Sequence, residues 1–369
     1  MNKIYDIAII GAGIAGVMVA FFAKQKGLKV IILDKSATVA TGGSAAAGAF
    51  IAPKLGKSVS LVNLTNRAFK FANSFYSKYF SNAFYQSGVV RFAKDKSDLD
   101  NLENYIKIIG SGEIVTPKKL NQMGIKSEEK ALFFKDGGVC DAQKLCKIAS
   151  EDIDYLQLEV KNIENKIDYI LLDKIIKAKK IIFATGYEAF ENFDYMSISG
   201  LWGSRGDYYC EDDIKVCMHK GASVSSNIDG IIKIGATTLR DKNPCLVCNG
   251  EPLKNLEEVA LKVANIKNFK IKEIFCGYRA NSKDHFPIVG RVIDSEFMLE
   301  KYPQIKKGYK KAPIKYKEGW YVLNGLGARG FVFAPLMSKI LIEHIINGKD
   351  ILDEVNSERM FLKWARKLI

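Results

Sequence analysis

Histidine is scarce: His219, His285 and His344 are the three in 369 residues. The chain therefore has few conventional general bases, a shortage that suits chemistry in which the proton is not the difficult part. Cysteine is present in an odd number, seven, and no signal peptide precedes the first structured run, which points to reduced thiols in a cytoplasmic setting. Cys245-Leu246-Val247-Cys248 has no second CxxC at zinc-ribbon spacing, so it reads as incidental and no metal is expected. Long apolar runs are also missing. Residues 7–23 come nearest to a membrane span, but three glycines and the strand that follows make them a buried strand–helix unit, and no membrane association is expected. Acid is in deficit, with 41 Asp and Glu against 55 Lys and Arg and a formal charge of +14. That surplus is large for an enzyme of small neutral metabolites and raises the prospect of a polyanionic partner, although a lysine-rich proteome is the plainer explanation. There is no low-complexity tract or tandem repeat.

What is present is organised around residues 4–34. An apolar run ends in Gly11-Ala12-Gly13-Ile14-Ala15-Gly16, a helix-like segment runs to Lys26, and a second apolar run, Val30 to Leu33, ends in Asp34 and Lys35. In a strand–turn–helix–strand unit of this kind, Gly11 serves the tight turn, Gly13 lets the backbone approach a pyrophosphate, and Gly16 lets the helix pack on the strand. Asp34 falls 18 residues after Gly16, near the spacing at which an acid reaches a ribose hydroxyl. An adenine dinucleotide is the expected ligand, with Gly11, Gly13, Ile14, Ala15, Gly16, Asp34 and Lys35 around it.

Ser36 to Pro53 is rich in Gly, Ala, Ser and Thr and reads as a second ligand loop, with Gly43 and Ser44 as contacts. Asn63 to Phe80 carries a helical apolar stripe. Gly88 to Phe134 gives short strand-like pieces, an inserted sheet. Asp141 is placed to cap a helix over 142–149. Lys180 to Phe183 is a strand that stops at Ala184-Thr185-Gly186. Residues 197–279 mix strand-like segments with a helix over 253–264. A strand over 319–323 then enters a second glycine turn, Gly325-Leu326-Gly327-Ala328-Arg329-Gly330, and a helix over 331–346.

GAGIAG with Asp34, the ATG at 184–186, GYRANSKDHFPIVG at 277–290 and NGLGARGFVFAP at 324–335 together resemble the D-amino-acid-oxidase-like flavoprotein superfamily across nearly the whole chain. The resemblance implies an α/β fold: a discontinuous Rossmann-like FAD domain (1–85, 137–196 and 317–369) interrupted by an antiparallel-sheet substrate domain (86–136 and 197–316). It also implies FAD as cofactor, held by the residues above together with Ala184, Thr185, Gly186, Gly325, Gly327, Ala328, Arg329 and Gly330. SAAAGAFIAPKLGK, FANSFY, GLWGSRGDYY and GLGARGFVFAPL look most like one branch, the oxidoreductase half of the bifunctional enzymes that make 5-methylaminomethyl-2-thiouridine in tRNA. That half removes the carboxymethyl group of 5-carboxymethylaminomethyl-uridine at the wobble position. The methyltransferase half is expected to be absent and to act as a separate partner. At Gly43-Ser44-Ala45-Ala46-Ala47 the chain departs from the branch, which commonly has Ser-Gly-Asn a few residues before its Gly-Ala step.

Oxidising a secondary amine that carries a carboxymethyl group needs a hydride acceptor and a grip on the carboxylate. Arg279 is the first candidate for that grip, by its place in the motif, because a guanidinium binds a carboxylate through two parallel bonds. Arg329 and then Arg205 follow. Lys306 to Lys317, with Tyr309 and Tyr316, and the terminal Lys363, Arg366 and Lys367 are the candidate RNA contacts. A small-molecule amine oxidase of glycine, sarcosine or D-amino-acid type is the alternative reading, and a basic RNA-binding flavoprotein with structural FAD is a third.

Overall fold

A computed structural model describes residues 3–57, 59–93, 95–188, 193–239 and 250–368. The Cys245–Cys248 pair lies outside the described residues. The opening strand Ile4–Ile10 lies between Val30–Asp34 and Ile176–Phe183 and runs parallel to both. Asp154–Gln157 extends this sheet beyond Val30–Asp34, and Tyr316–Asn324 joins Ile176–Phe183 on the other side, also parallel. The remaining pairings are antiparallel: Ile288–Ile293 on Tyr316–Asn324, and Ile170–Leu172 between Ile176–Phe183 and Ile163–Asn165.

The central strands are apolar on both faces because both are covered. Ile7, Ile9, Ile32 and Ile182 enter one core, whereas Ala8, Ile10, Ile31, Leu33, Ile181 and Phe183 enter the other. The first core receives the helices Ile14–Gln25, Ser60–Tyr79 and Gly330–Asn347, the last packed against both of the others. Tyr76 is fully buried and donates its hydroxyl to the Phe331 carbonyl at 2.8 Å, joining two of these helices. Residues 327–347 are long and apolar enough to cross a membrane by composition, but here they are a packed core helix.

The second large sheet has the order Phe269–Ser282, Ile198–Cys210, Ile231–Gly235, Ala222–Val224, Cys217–Lys220, Val89–Arg91, Ala131–Phe134, Glu113–Val115. All neighbours are antiparallel except Cys217–Lys220 beside Val89–Arg91. Its longest pairing is antiparallel, Ile198–Cys210 with Phe269–Ser282.

Two expectations need correction. The stretch 88–134 holds three helices as well as strands, at Lys96–Asp100, Leu102–Ile109 and Pro117–Gln122. Reduced thiols hold for Cys140, Cys146, Cys210 and Cys217, which are free and buried, but Cys276 is disulfide-bonded.

Candidate active site

The two ends of the chain meet at the opening fingerprint. Gly11 has φ +110°, and a methyl there would lie 2.4 Å from the Ala184 carbonyl oxygen; one on Gly16 would lie 1.9 Å from the Gly11 oxygen. Gly11 and Gly16 are therefore required by the protein's own packing. Gly13 differs. Its φ is −72°, and an added methyl would meet only the Ser44 hydroxyl, at 3.2 Å. Around this turn, Ala184 donates its amide to Ile10 (2.8 Å), Ser44 Oγ accepts from the Ile14 amide (2.9 Å), and Gly330 approaches Ile14, with its virtual Cβ 3.2 Å from Ile14 Cγ2. Asp34 accepts from the amides of Ala12 (2.7 Å) and Ser36 (2.8 Å), so its carboxylate fixes the turn from the end of the second strand. Lys35 pairs with Glu188 at 2.5 Å, and Gly186 supplies a left-handed φ of +68°.

This fits a dinucleotide. The helix Ile14–Gln25 starts with no acid in its first turn and no side-chain cap from Gly13 itself, and Ser44 Oγ meets its Ile14 amide, so the small-residue loop lies at its positive end.

The second glycine turn lies against the second sheet. Leu326 bridges to Asn281, Gly325 and Gly327 have φ of +70° and +57°, and a methyl on Gly327 would meet Asn281 Oδ1 at 2.7 Å. Ala328 is exposed beside Arg329, which donates to the Ala52 carbonyl at 3.0 Å. Gly43 touches the sheet at the other motif, since a methyl there would lie 2.3 Å from the Tyr278 oxygen.

Arg279 follows Tyr278 on Phe269–Ser282. Its guanidinium donates to the Thr237 carbonyl at 2.9 Å and reaches Thr238 Oγ1 at 3.4 Å; no carboxylate pairs with it among the described residues. Burial alone lowers its pKa from the ordinary guanidinium range. Gly203, on the neighbouring strand, makes the room: a methyl there would sit 2.4 Å from Arg279 Nη2. Arg205, the third candidate for the carboxylate grip, is placed differently from that expectation. It pairs with Asp207 at 2.9 Å and donates to the carbonyls of Ala45 and Ala47, so it ties the small-residue loop to the sheet and has no free fork.

Three features were not singled out in the sequence. Gly203 was visible only as one glycine in GLWGSRGDYY. Tyr187, 39% exposed, lies over Tyr278 with ring centroids 4.2 Å apart, and Trp202 meets Tyr278 edge-on at 4.8 Å. Arg91 and His219 face each other across paired strands.

Residues 6–344 match the family model described as FAD dependent oxidoreductase. The chain is 26% identical over 391 residues to the tRNA 5-methylaminomethyl-2-thiouridine biosynthesis bifunctional protein MnmC of Campylobacter fetus subsp. fetus, covering all of this chain and 61% of that protein. The MnmC protein of Leptospira interrogans is 27% identical, with 99% and 62% covered. The chain thus spans about three fifths of the length of these curated relatives. Among solved structures, L-proline dehydrogenase from P. horikoshii superposes with a TM-score of 0.75 at 19% identity, covering 98% of each chain. Glycine oxidase from Bacillus cereus superposes at 0.74 and 16%, covering 94% of this chain and 96% of that one. The expected fold, enzyme class and cofactor are therefore met: the chain belongs to the FAD-dependent oxidoreductase family.

Proposed function

We propose that the protein oxidatively removes the carboxymethyl group from 5-carboxymethylaminomethyl-uridine, or its 2-thio form, at the tRNA wobble position. The products are glyoxylate and the 5-aminomethyl nucleoside. The observation that carries the amine-oxidation part is Arg279: a half-buried guanidinium with room made for it by Gly203 and, among the described residues, no acid paired with it. FAD, when bound, supplies the two-electron acceptor. The chain's part is to hold and orient. Arg279 grips the substrate carboxylate, which fixes the adjacent methylene; that carbon loses a hydride and the nitrogen a proton, and water then cleaves the resulting imine. The amine must be neutral to be oxidised, and an unpaired cation near the site favours the neutral form.

Support for an RNA substrate comes from similarity to the MnmC proteins along the whole chain and from charge placement. Lys283, four residues beyond Arg279, has its pKa lowered by the neighbouring Lys367. Two lysines side by side mark a surface that gains from an anion. Lys363 and Arg366 are exposed on the same terminal segment, and the Lys-rich turn comes up to it: an added methyl at Gly308 would lie 3.6 Å from Arg366 Nε. Tyr187 offers a partly exposed ring, stacked on Tyr278, against which an unpaired base can pack. A cytoplasmic location accompanies this reading. The small-molecule alternative draws its support from the glycine oxidase fold. Mass analysis of tRNA nucleosides before and after incubation with pure FAD-loaded protein decides: appearance of the 5-aminomethyl nucleoside with glyoxylate is expected, and unchanged nucleosides with rapid glycine or sarcosine oxidation reverse the choice.

A further inference from the structure

The strand Phe269–Ser282 turns successive side chains to opposite faces of its sheet, so Tyr278 points away from the side on which Arg279 meets Thr237 and Gly203. On that far side three rings form a ladder. Trp202, the register partner of Tyr278 on Ile198–Cys210, is buried and meets it edge-on with centroids 4.8 Å apart. Tyr187 lies over Tyr278 at 4.2 Å, tilted by 37°, and is 39% exposed. Gly200 is exposed beside the rings and leaves them their room: a methyl there would lie 2.9 Å from Tyr278 Cδ1 and 3.0 Å from Tyr187 Cδ2. The outer ring is carried on a braced turn. Thr185 Oγ1 donates to the Glu188 carbonyl at 2.8 Å, and Lys35 pairs with the Glu188 carboxylate at 2.5 Å, so the acid next to Tyr187 is already neutralised.

The rings alone do not name an occupant; the charges around them do. The strand that carries Tyr278 ends at Ser282, and the next residue, Lys283, is exposed and lies against Lys367. Five residues of extended chain separate Tyr278 from Lys283, about 17 Å, a span that a few nucleotides of single strand can cover. An unpaired base packs on an aromatic face whatever its identity, and the phosphates that flank it need cations within reach, which is how single-stranded nucleic acid is held. A small amine gripped by Arg279 has no use for rings on the far side of the strand. We propose that Tyr187, backed by Tyr278 and Trp202, is a stacking platform for an unpaired base of the RNA loop that carries the reacting nucleotide, with the phosphate backbone continuing toward Lys283 and Lys367. The proposal rests on the tRNA reading and deepens it: a loop base held on Tyr187 helps to keep the reacting nucleotide out of its own stack.

The test reads binding rather than turnover. An RNA stem-loop with a tRNA anticodon-arm sequence carries 2-aminopurine, whose fluorescence reports its stacking, at one loop position at a time, and is titrated into the FAD-loaded protein. At least one loop position should change its emission on binding. Tyr187→Ala should abolish that change and weaken binding by roughly 5- to 150-fold, the loss of one base–aromatic stack. Tyr187→Phe should restore both, because stacking needs the ring and not the hydroxyl. Gly200→Ala, which presses a methyl against both rings, should also weaken binding. Flavin content and thermal midpoint, measured alongside, show that each variant is folded. The ratio of unsubstituted to Tyr187→Ala affinity should stay constant from about 50 to 200 mM salt, because stacking releases no counterions. Equal affinity and unchanged emission with and without Tyr187→Ala, or a loss that Tyr187→Phe does not restore, overturns the proposal. A protein that converts tRNA nucleosides equally well after Tyr187→Ala, with stem-loop binding also unchanged, defeats only this inference; one that binds the stem-loop through Tyr187 yet leaves tRNA nucleosides unchanged defeats only the proposed reaction.

Discussion

The three glycines of the fingerprint separate under a single added methyl. At Gly16 the methyl would collide with the Gly11 carbonyl at 1.9 Å, and at Gly11 it would meet Ala184 in a backbone conformation that L residues rarely adopt. Gly13→Ala meets only a serine hydroxyl, at 3.2 Å, so the apoprotein should fold with nearly normal stability while losing affinity for FAD. Gly16→Ala should instead lower the thermal midpoint of the flavin-free protein. Flavin content on purification and apoprotein melting check both; a Gly13→Ala protein with full FAD and unaltered affinity would reassign the turn. Arg279 gives a parallel separation. Its fork spans Thr237 and the space opened by Gly203, and lysine cannot reproduce two parallel donors. Arg279→Lys should keep bound FAD and lower kcat/KM by roughly 10- to 150-fold, the loss of one charged hydrogen bond of about 1.5–3 kcal/mol. Unaltered kinetics would reassign the carboxylate grip, with Arg329 tested next.

Helix Ala142–Ala149 shows how far local chemistry dictates an element. Asp141 accepts from the Lys144 amide at 3.1 Å, and Ala142, Leu145, Cys146 and Ala149 enter the core. Asp141→Ala should therefore cost about 1 kcal/mol of unfolding free energy, read by urea titration, with FAD binding retained. This helix was legible in full, as were the fingerprint unit and the helix Gly330–Asn347, because in each the glycines and the apolar period agree. Leu102–Ile109 was missed, although Gly110 ends it with a left-handed φ of +71° and the stripe Leu102, Tyr105, Ile109 is buried; its lysines and neighbouring turns read as loop. Pro117 opened another missed helix behind the Thr116 cap. Ile198–Cys210 carries glycines at 200, 203 and 206 and no clean alternation, so its length was not visible. Its spacing comes from pairing with Phe269–Ser282, a long-range fact. The same reason hid Arg91 and His219, which are 128 residues apart and adjacent only through strand register.

At the scale of the whole molecule, the charge of +14 and its distribution make the two enzyme readings separable by their salt dependence. Arg359 already has its acid, Asp284, through two bonds of 2.9 and 3.0 Å, whereas the next residue back, Lys283, faces Lys367. Neutralisation inside the motif and repulsion at its rim leave the surplus on the outside, along Lys283, Lys307, Lys310, Lys311, Lys363, Arg366 and Lys367. Phosphates contacting such a surface release counterions, so affinity falls steeply with salt. A free amino acid reaching Arg279 has no remote phosphates, and its turnover should depend weakly on ionic strength. Binding energy from the tRNA body also helps place the reacting methylene, which makes the isolated modified nucleoside a poor substrate. Flavin reduction by tRNA bearing the carboxymethylaminomethyl group should therefore be efficient at low salt and fall by roughly an order of magnitude per few phosphates engaged as salt rises from 50 to 200 mM. Lys283→Ala with Lys367→Ala should flatten that slope and leave Arg279-dependent chemistry intact. Stopped-flow reduction across a salt series measures it; salt-insensitive reduction by glycine or sarcosine, with no reduction by that tRNA, would establish the small-molecule reading instead.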